Sequence, residues 1–464
     1  MMAATAMFAT ASWAGGLMTN TNYHIAFDRM MARGASFDID ATFSNPAGLV
    51  WGHEGWQLSL NFQKPWQYRD IVLTTDKGSK LYEGKASAPI VPALFASYKK
   101  DRWAISSMIG IVGSGGFVQY DEGVPMFNVL LSNTITKLTK GLSDATKGAI
   151  PTITPDQYTI DAEMKGKQYI YGWQANFSYK VLDCLAAAVG FRANYYDGYY
   201  RGHVVAGNHA TMGKLAGLML DVDQKGWGFT PIVSLAFHQG PLTLTARYEF
   251  RTKISTENDT NVLDADINTT KMVTEPLTKL VVGGAITAAQ AQAIGQAIQQ
   301  QLGGGFSAYT APYEDGAKTR YDMPALLSVA AGYEITPKLR ATVEYHFFDD
   351  KNAKMANDRQ KELTHGTHEF LAGVEWDIND KFTVSCGGQR TDYGLSDGYE
   401  QNTSFACDSW SVGLGGAWNI TEKVRLNAGY FCSIYSDYNK QTDYGKETYS
   451  RTNNVIGIGV DYKF

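Results

Sequence analysis

Four stretches of the chain alternate apolar and polar side chains with period two. In KLRATVEYHF, residues 338–347, Leu339, Ala341, Val343, Tyr345 and Phe347 fall on one face, and Arg340, Thr342, Glu344 and His346 on the other. Leu242, Leu244, Ala246, Tyr248 and Phe250 alternate in the same way with Thr243, Thr245, Arg247, Glu249 and Arg251. Trp410, Val412, Leu414, Gly416, Trp418 and Ile420 make a third such face, and Ile456, Ile458, Val460, Tyr462 and Phe464 a fourth. Period two is the signature of a β-strand. Runs of roughly 10–15 residues are long against the ~5–6 usual in soluble sheets. They suit a tilted bilayer crossing, which needs ~9–11 residues. Trp103, Tyr179, Trp227, Trp376, Trp418 and Tyr462 sit near run ends, as interfacial girdles require.

The connections alternate as well. Short ones fall at 99–101, 181–183, 239–241, 336–337, 379–380 and 421–422, and long ones at 67–86, 114–165, 200–225, 258–318, 351–365, 393–405 and 439–448. Six short turns and seven long loops join fourteen strands. Short turns at one rim and long loops at the other are the grammar of an outer-membrane barrel. An open sheet in a bilayer would strand its edge hydrogen bonds, so the barrel must close. The predicted fold is therefore all-β: a 14-stranded antiparallel transmembrane β-barrel over 56–464. Two of its loops read as helical. In 124–149, Met126, Leu130, Ile135, Leu138 and Leu142 recur at helical spacing. In 284–305, Thr287 and Gln290 form a capping box, Ile294, Ile298 and Leu302 follow, and Gly303–Gly305 ends the run. The two helices either pack on each other and on the loops, or present Met126, Phe127, Leu130, Ile294 and Ile298 as an apolar capture groove.

Residues 1–14 are small and apolar and end Ser12-Trp13-Ala14, which reads as a signal peptide cleaved before Gly15; an N-terminal helix is the alternative. Residues 15–55 contain no long alternating run. Fourteen strands leave a lumen, since eight only just fill theirs, and a compact plug of 15–55 would fill it. Within it, ATFSNPAGLVWG, residues 41–52, is turn material: either a linker or the end of that plug.

Composition narrows the field. The formal net charge of −5 gives nucleic acid no footprint. Mean hydropathy is −0.24, and no long apolar run suits a transmembrane helix. Cys184, Cys386, Cys407 and Cys432 show no metal-ligand spacing, so neither metal nor cofactor is assigned, and their disulfide state stays open. His203, His238, His346 and His368 come without a G-x-S-x-G stretch, so no catalytic residue is assigned.

The chain resembles the FadL/TodX family of outer-membrane transporters for long-chain fatty acids and other hydrophobic compounds. The resemblance lies in GGLMTN at 15–20, Asn45-Pro46-Ala47-Gly48-Leu49, Val91-Pro92-Ala93-Leu94, Met323-Pro324-Ala325-Leu326 and the terminal Tyr462-Lys463-Phe464. It implies a Gram-negative outer-membrane location among lipid and lipopolysaccharide, with assembly machinery reading Phe464, and a monomer is expected. It also implies a route: capture between outer loops, an inner site closed by the hatch and the mature terminus, and lateral exit beside a kinked strand. Gating then maps to Gly15, Gly16, Leu17, Asn45, Pro46, Ala47 and Gly48. The kink maps to Gly113, Gly115 and Gly116 in strand three, 102–112, where an ordinary strand-to-loop exit is the alternative. The family's carboxylate-holding bases have no motif here. By period alone Arg192, Arg247, Arg251, Arg340 and Arg425 face the lumen, with Arg192, Arg247 and Arg340 the candidate carboxylate partners. Each is equally explained by pairing with an inward carboxylate such as Glu249 or Glu344. Two other functions compete: a docking barrel without transport, and a haem or other nutrient receptor using His24 and His53.

Overall fold

A computed structural model describes residues 15–88, 90–208, 213–302, 306 and 310–464. The proposed signal peptide, 1–14, and the Gly303–Gly305 stop lie outside the described residues.

One antiparallel sheet closes on itself. Its crossings are β1 (Gly55–Thr75), β2 (Gly78–Tyr82, Gly84–Ser87 and Val91–Lys100), β3 (Trp103–Tyr120), β4 (Thr159–Leu182) and β5 (Leu185–Asn208). Next come β6 (Gly213–Gln239), β7 (Leu242–Glu249 and Ser255–Ile267), β8 (Lys318–Arg320 and Leu326–Thr336), β9 (Leu339–Phe348) and β10 (Thr367–Asp377). The circuit ends with β11 (Phe382–Asp392), β12 (Ser409–Asn419), β13 (Val424–Tyr435 and Tyr438–Thr442) and β14 (Gly445–Lys463). β14 pairs with β1 from Gln57↔Lys463 to Thr74↔Lys446, which closes the fourteen-strand barrel.

The alternation is inverted relative to a soluble protein. Val343, Phe370, Trp410 and Ile458 face outward and exposed, while Arg192, Glu249, Glu344 and Glu375 are buried inward. On β1, Trp56 and Trp66 mark the two edges of the apolar band. Ten residues at ~3.3 Å rise and ~40° tilt span about 25 Å, the height expected of an outer-membrane band.

Strand length departs from the sequence expectation. β4, β5 and β6 run 24, 24 and 27 residues, so the expected loop at 200–225 is strand. Much of 67–86 and 439–448 is hairpin too. Above the apolar band the outward face is polar, as in Lys165↔Arg201 and Lys167↔Tyr199, while the apolar residues, such as Ala162, Met164, Val204 and Leu218, turn inward beneath the helices.

Three helices cover this tall wall: α3 (Pro125–Ala145), α4 (Glu275–Val282) and α5 (Ala288–Leu302). The capping box before α5 is formed, with Gln290 N donating to Thr287 Oγ1 at 3.2 Å and Thr287 N to Gln290 Oε1 at 2.8 Å. Inside the barrel, residues 15–54 fold around α1 (Ile25–Arg29), α2 (Ala41–Ser44) and a 3₁₀ turn, Pro46–Trp51. Helix α1 lies on a bed of wall glycines: a side chain at Gly413 would meet the Asp28 carbonyl, and one at Gly457 the Ile25 side chain.

Candidate functional site

The segment 15–54 and the barrel wall exchange hydrogen bonds at several levels of the lumen. Near the short-turn rim, Ser178 Oγ donates to Pro46 O at 2.7 Å, and Asn176 Nδ2 to Thr42 O at 2.9 Å. Midway, Gly34 N donates to Glu344 Oε2 at 2.7 Å and Thr245 Oγ1 to Gly34 O at 2.9 Å. Beside β1, Ile25 N donates to Asn61 Oδ1 at 3.1 Å, and Gln63 and Asn22 bond reciprocally.

The lumen arginines are matched to carboxylates of the protein. Arg192 makes a two-pronged pair with Glu249, at 2.8 and 3.0 Å, and Arg247 Nη1 lies 3.2 Å from the same carboxylate. Arg340 bridges Glu375 and Asp377, and the hatch arginines Arg29 and Arg33 join Glu375 as well. Glu344 is paired with His346 at 2.7 Å. Arg192, Arg247 and Arg340 thus each contact a carboxylate of the barrel wall, the pairing that a buried charge requires. Arg251 Nη1 donates to Asn352 O, and Arg425 faces Asp38 at 3.6 Å.

Asn45, Pro46, Ala47 and Gly48 are buried at the short-turn rim, with Asn45 Oδ1 accepting from Gly48 N at 3.2 Å. A side chain at Gly48 would run into Asn45 itself, not into the barrel wall. Leu17 packs in a different apolar cluster, with Met18, Tyr23 and Val112, whereas Ala47 packs with Ala104, Ala186 and Ala236. Leu17 and the Asn45-Pro46-Ala47 turn therefore lie in two separate apolar clusters. His24 uses both ring nitrogens inside the protein. Nδ1 accepts from Ala26 N, and Nε2 lies 3.0 Å from Ser59 Oγ and 3.2 Å from Asp461. Haem ligation by His24 would have to break these bonds.

Strand β3 does not end at its glycines; it continues to Tyr120. Its register against β4 shifts between Ile111 and Gly113 and again between Gly113 and Gly116, so β3 carries one extra residue at Val112 and a second within 114–115. On the other side the ladder to β2 is interrupted. Pairing runs up to Leu94↔Ile109 and resumes at Ser87↔Phe117. Among the described residues no β2–β3 pair lies between these points. The start of the hatch occupies this window. Asn20 N donates to Val112 O at 3.1 Å, Asn20 Nδ2 to Ile111 O at 3.3 Å, and the Tyr23 hydroxyl to Val112 O at 3.3 Å. A side chain at Gly113 would meet the Met18 carbonyl. Lys64 Nζ takes the Ala88 carbonyl on the β2 side at 3.0 Å.

Above the barrel, α3 turns two faces to two surroundings. Phe127, Leu131, Ile135, Leu138 and Leu142 are buried with Ile298, and Ile294 packs on the same cluster. Phe127, Ile294 and Ile298 are thus core, not the surface of a groove between helices. The opposite face does line a groove, of about 690 Å³, through Met126, Val129, Leu130 and Lys137. Its far wall is Arg359, Glu362, Asn402, Lys440 and Tyr449. Sequence reasoning missed this wall because its residues come from two loops and the β13–β14 hairpin, which no single period links.

Residues 279–464 match the outer membrane protein β-barrel domain family. A search of curated sequences finds no match. Among solved structures, a Pseudomonas aeruginosa FadL homologue aligns over 99% of this chain and 100% of its own, with TM-score 0.62 and 14% identity. The Pseudomonas putida toluene transporter TodX covers 99% and 100%, with TM-score 0.56 and 12% identity. The Ralstonia pickettii toluene transporter TbuX covers 99% and 97%, with TM-score 0.52 and 13% identity. The chain is an outer-membrane β-barrel with the FadL fold. At these identities the likeness carries the fold and leaves the cargo to the site itself.

Proposed function

We propose that this FadL-fold barrel is a passive channel that takes small hydrophobic molecules from outside and releases them sideways into the membrane. One observation carries the reading: the only register shifts of β3 coincide with the break in the β2–β3 ladder and with the first residues of the hatch. A strand break in a bilayer leaves carbonyls without partners. Here a movable segment satisfies them, so moving that segment opens the wall. The groove under α3 is the capture site, with an apolar helix face opposite polar loops. The toluene transporters named above and the compensated lumen arginines both favour an uncharged hydrophobe over a long-chain fatty acid. Phe464 is exposed at the short-turn rim, with its N–H on the Trp56 carbonyl at 3.0 Å, where assembly machinery would read it.

Deleting Ser114 and Gly115 takes out as many residues as β3 has in excess over β4, and so brings the β3–β4 ladder into a single register. Cells carrying the wild-type chain should take up labelled toluene faster than cells with empty vector, and more clearly than labelled oleate. The deletion should keep a heat-modifiable barrel and reduce toluene uptake to the vector level. Undiminished uptake through the deleted barrel would remove the lateral route.

A further inference from the structure

The carboxylate of Glu369, on β10, is fully buried in the upper lumen. It accepts from Gly15 N at 3.1 Å, the Thr391 hydroxyl at 3.1 Å, the Gln389 amide, and His346 Nδ1 at 2.9 Å. His346 reaches the other way to Glu344 at 2.7 Å. Among the described residues no lysine or arginine lies within ion-pair distance of Glu344 or Glu369. Two buried carboxylates therefore share a single imidazole. Glu344 also draws on Arg247, which shares Glu249 with Arg192; the charge still missing is a full cation in direct contact with Glu369, whose burial makes such a contact valuable.

We propose that the missing charge is the chain's own α-ammonium, created when the leader is cut off before Gly15, and that Glu369 is its binding site. The Ser12-Trp13-Ala14 sequence supplies the small residues that such a cut requires. The seat admits no larger residue. Gly15 has φ 117°, in the region that favours glycine, and its missing side chain would meet the Thr19 carbonyl. A side chain at Gly16 would stand 2.8 Å from the Phe348 ring. The neighbouring Leu17 N–H is held by the Asp350 carboxylate. An ammonium with three donors replaces an amide with one, and its bond to a carboxylate is charge-assisted. Processing thus latches the first residues of the hatch to β10, and the same residues run on to Asn20 at the β3 window. The inference rests on residues 15–55 being the hatch, not on what the channel carries.

The test reads the latch and not transport. Intact mass and terminal-peptide analysis of the protein purified from outer membranes should place the first residue at Gly15. Amide hydrogen exchange over residues 17–22 is then compared among wild type, Glu369→Gln, and a chain with one alanine inserted between Ala14 and Gly15. The insertion moves the amine while leaving the His346 cluster intact, so it separates the latch from a general packing role of Glu369. Both variants should exchange about tenfold faster over this segment, with heat modification of the barrel retained. A first residue other than Gly15, or unchanged exchange in the insertion variant, overturns the latch whether or not Glu369→Gln folds.

Discussion

At the scale of the residue, the lumen is a set of charges solved in pairs and triads. Arg192, Arg247 and Glu249 form one such group, fully buried. Glu249→Ala would leave two guanidinium groups facing each other in the barrel with no carboxylate between them. Breaking a buried pair by removing one partner costs about 3–5 kcal/mol. The midpoint of urea unfolding, followed by the gel shift of the folded barrel, should fall accordingly. Arg192→Met combined with Glu249→Leu should cost less than Glu249→Ala alone. The existence of such pairs was legible in the alternation of LTLTARYEFR, because an inward arginine two residues from an inward glutamate has an obvious neighbour. The partner of Glu375 was not legible: Arg29 and Arg33 reach it from the hatch, across more than three hundred residues of chain. Period reports which way a side chain points, and says nothing of what arrives to meet it.

At the scale of the element, strands were legible where the apolar face turns outward to lipid, and were missed where it turns inward beneath the loop helices. The fourteen crossings follow from period two; the upper halves of β4, β5 and β6 do not. Helix α3 was legible by its repeat, which spans both faces: Ile135, Leu138 and Leu142 are core, and Met126 and Leu130 line the groove. The loop between β11 and β12 forms part of that groove's far wall and carries its own titration. Burial raises the Glu400 carboxyl to about 8, opposed by nearby Arg359, Arg69 and Lys440 and by the Ala406 N–H. A carboxyl whose folded pKa is raised holds its proton better in the folded state. Its contribution is therefore fully present below the usual carboxylate range and is lost as pH rises toward about 8. Proteolysis within 394–406 should accelerate between pH 5 and pH 8 in the wild type, and Glu400→Gln should flatten that dependence. An equally steep profile in the variant would assign the titration to another group.

At the scale of the whole molecule, the function proposed above has a wide cylinder kept shut by a short segment of its own chain. Deleting residues 15–55 removes partners of Glu344, Glu375 and Asp461 but touches the strand ladders only at the end pair Gly55↔Lys99. The deleted barrel should still fold and remain heat-modifiable. It should melt at lower temperature and conduct small ions steadily in planar bilayers, where the intact protein is closed. A tight deleted barrel, or one that fails to fold, would mean that the lumen is closed by something else. The glycine bed under α1 has a further consequence, in time and not in space. Its glycines belong to β12, β13 and β14, the last strands to be synthesised, and α1 also meets β1 at the closing seam. The first part of the chain to leave the ribosome thus has no resting place until the last part has arrived. It must wait, unpaired, through the insertion of almost the whole cylinder, and its docking marks the end of assembly.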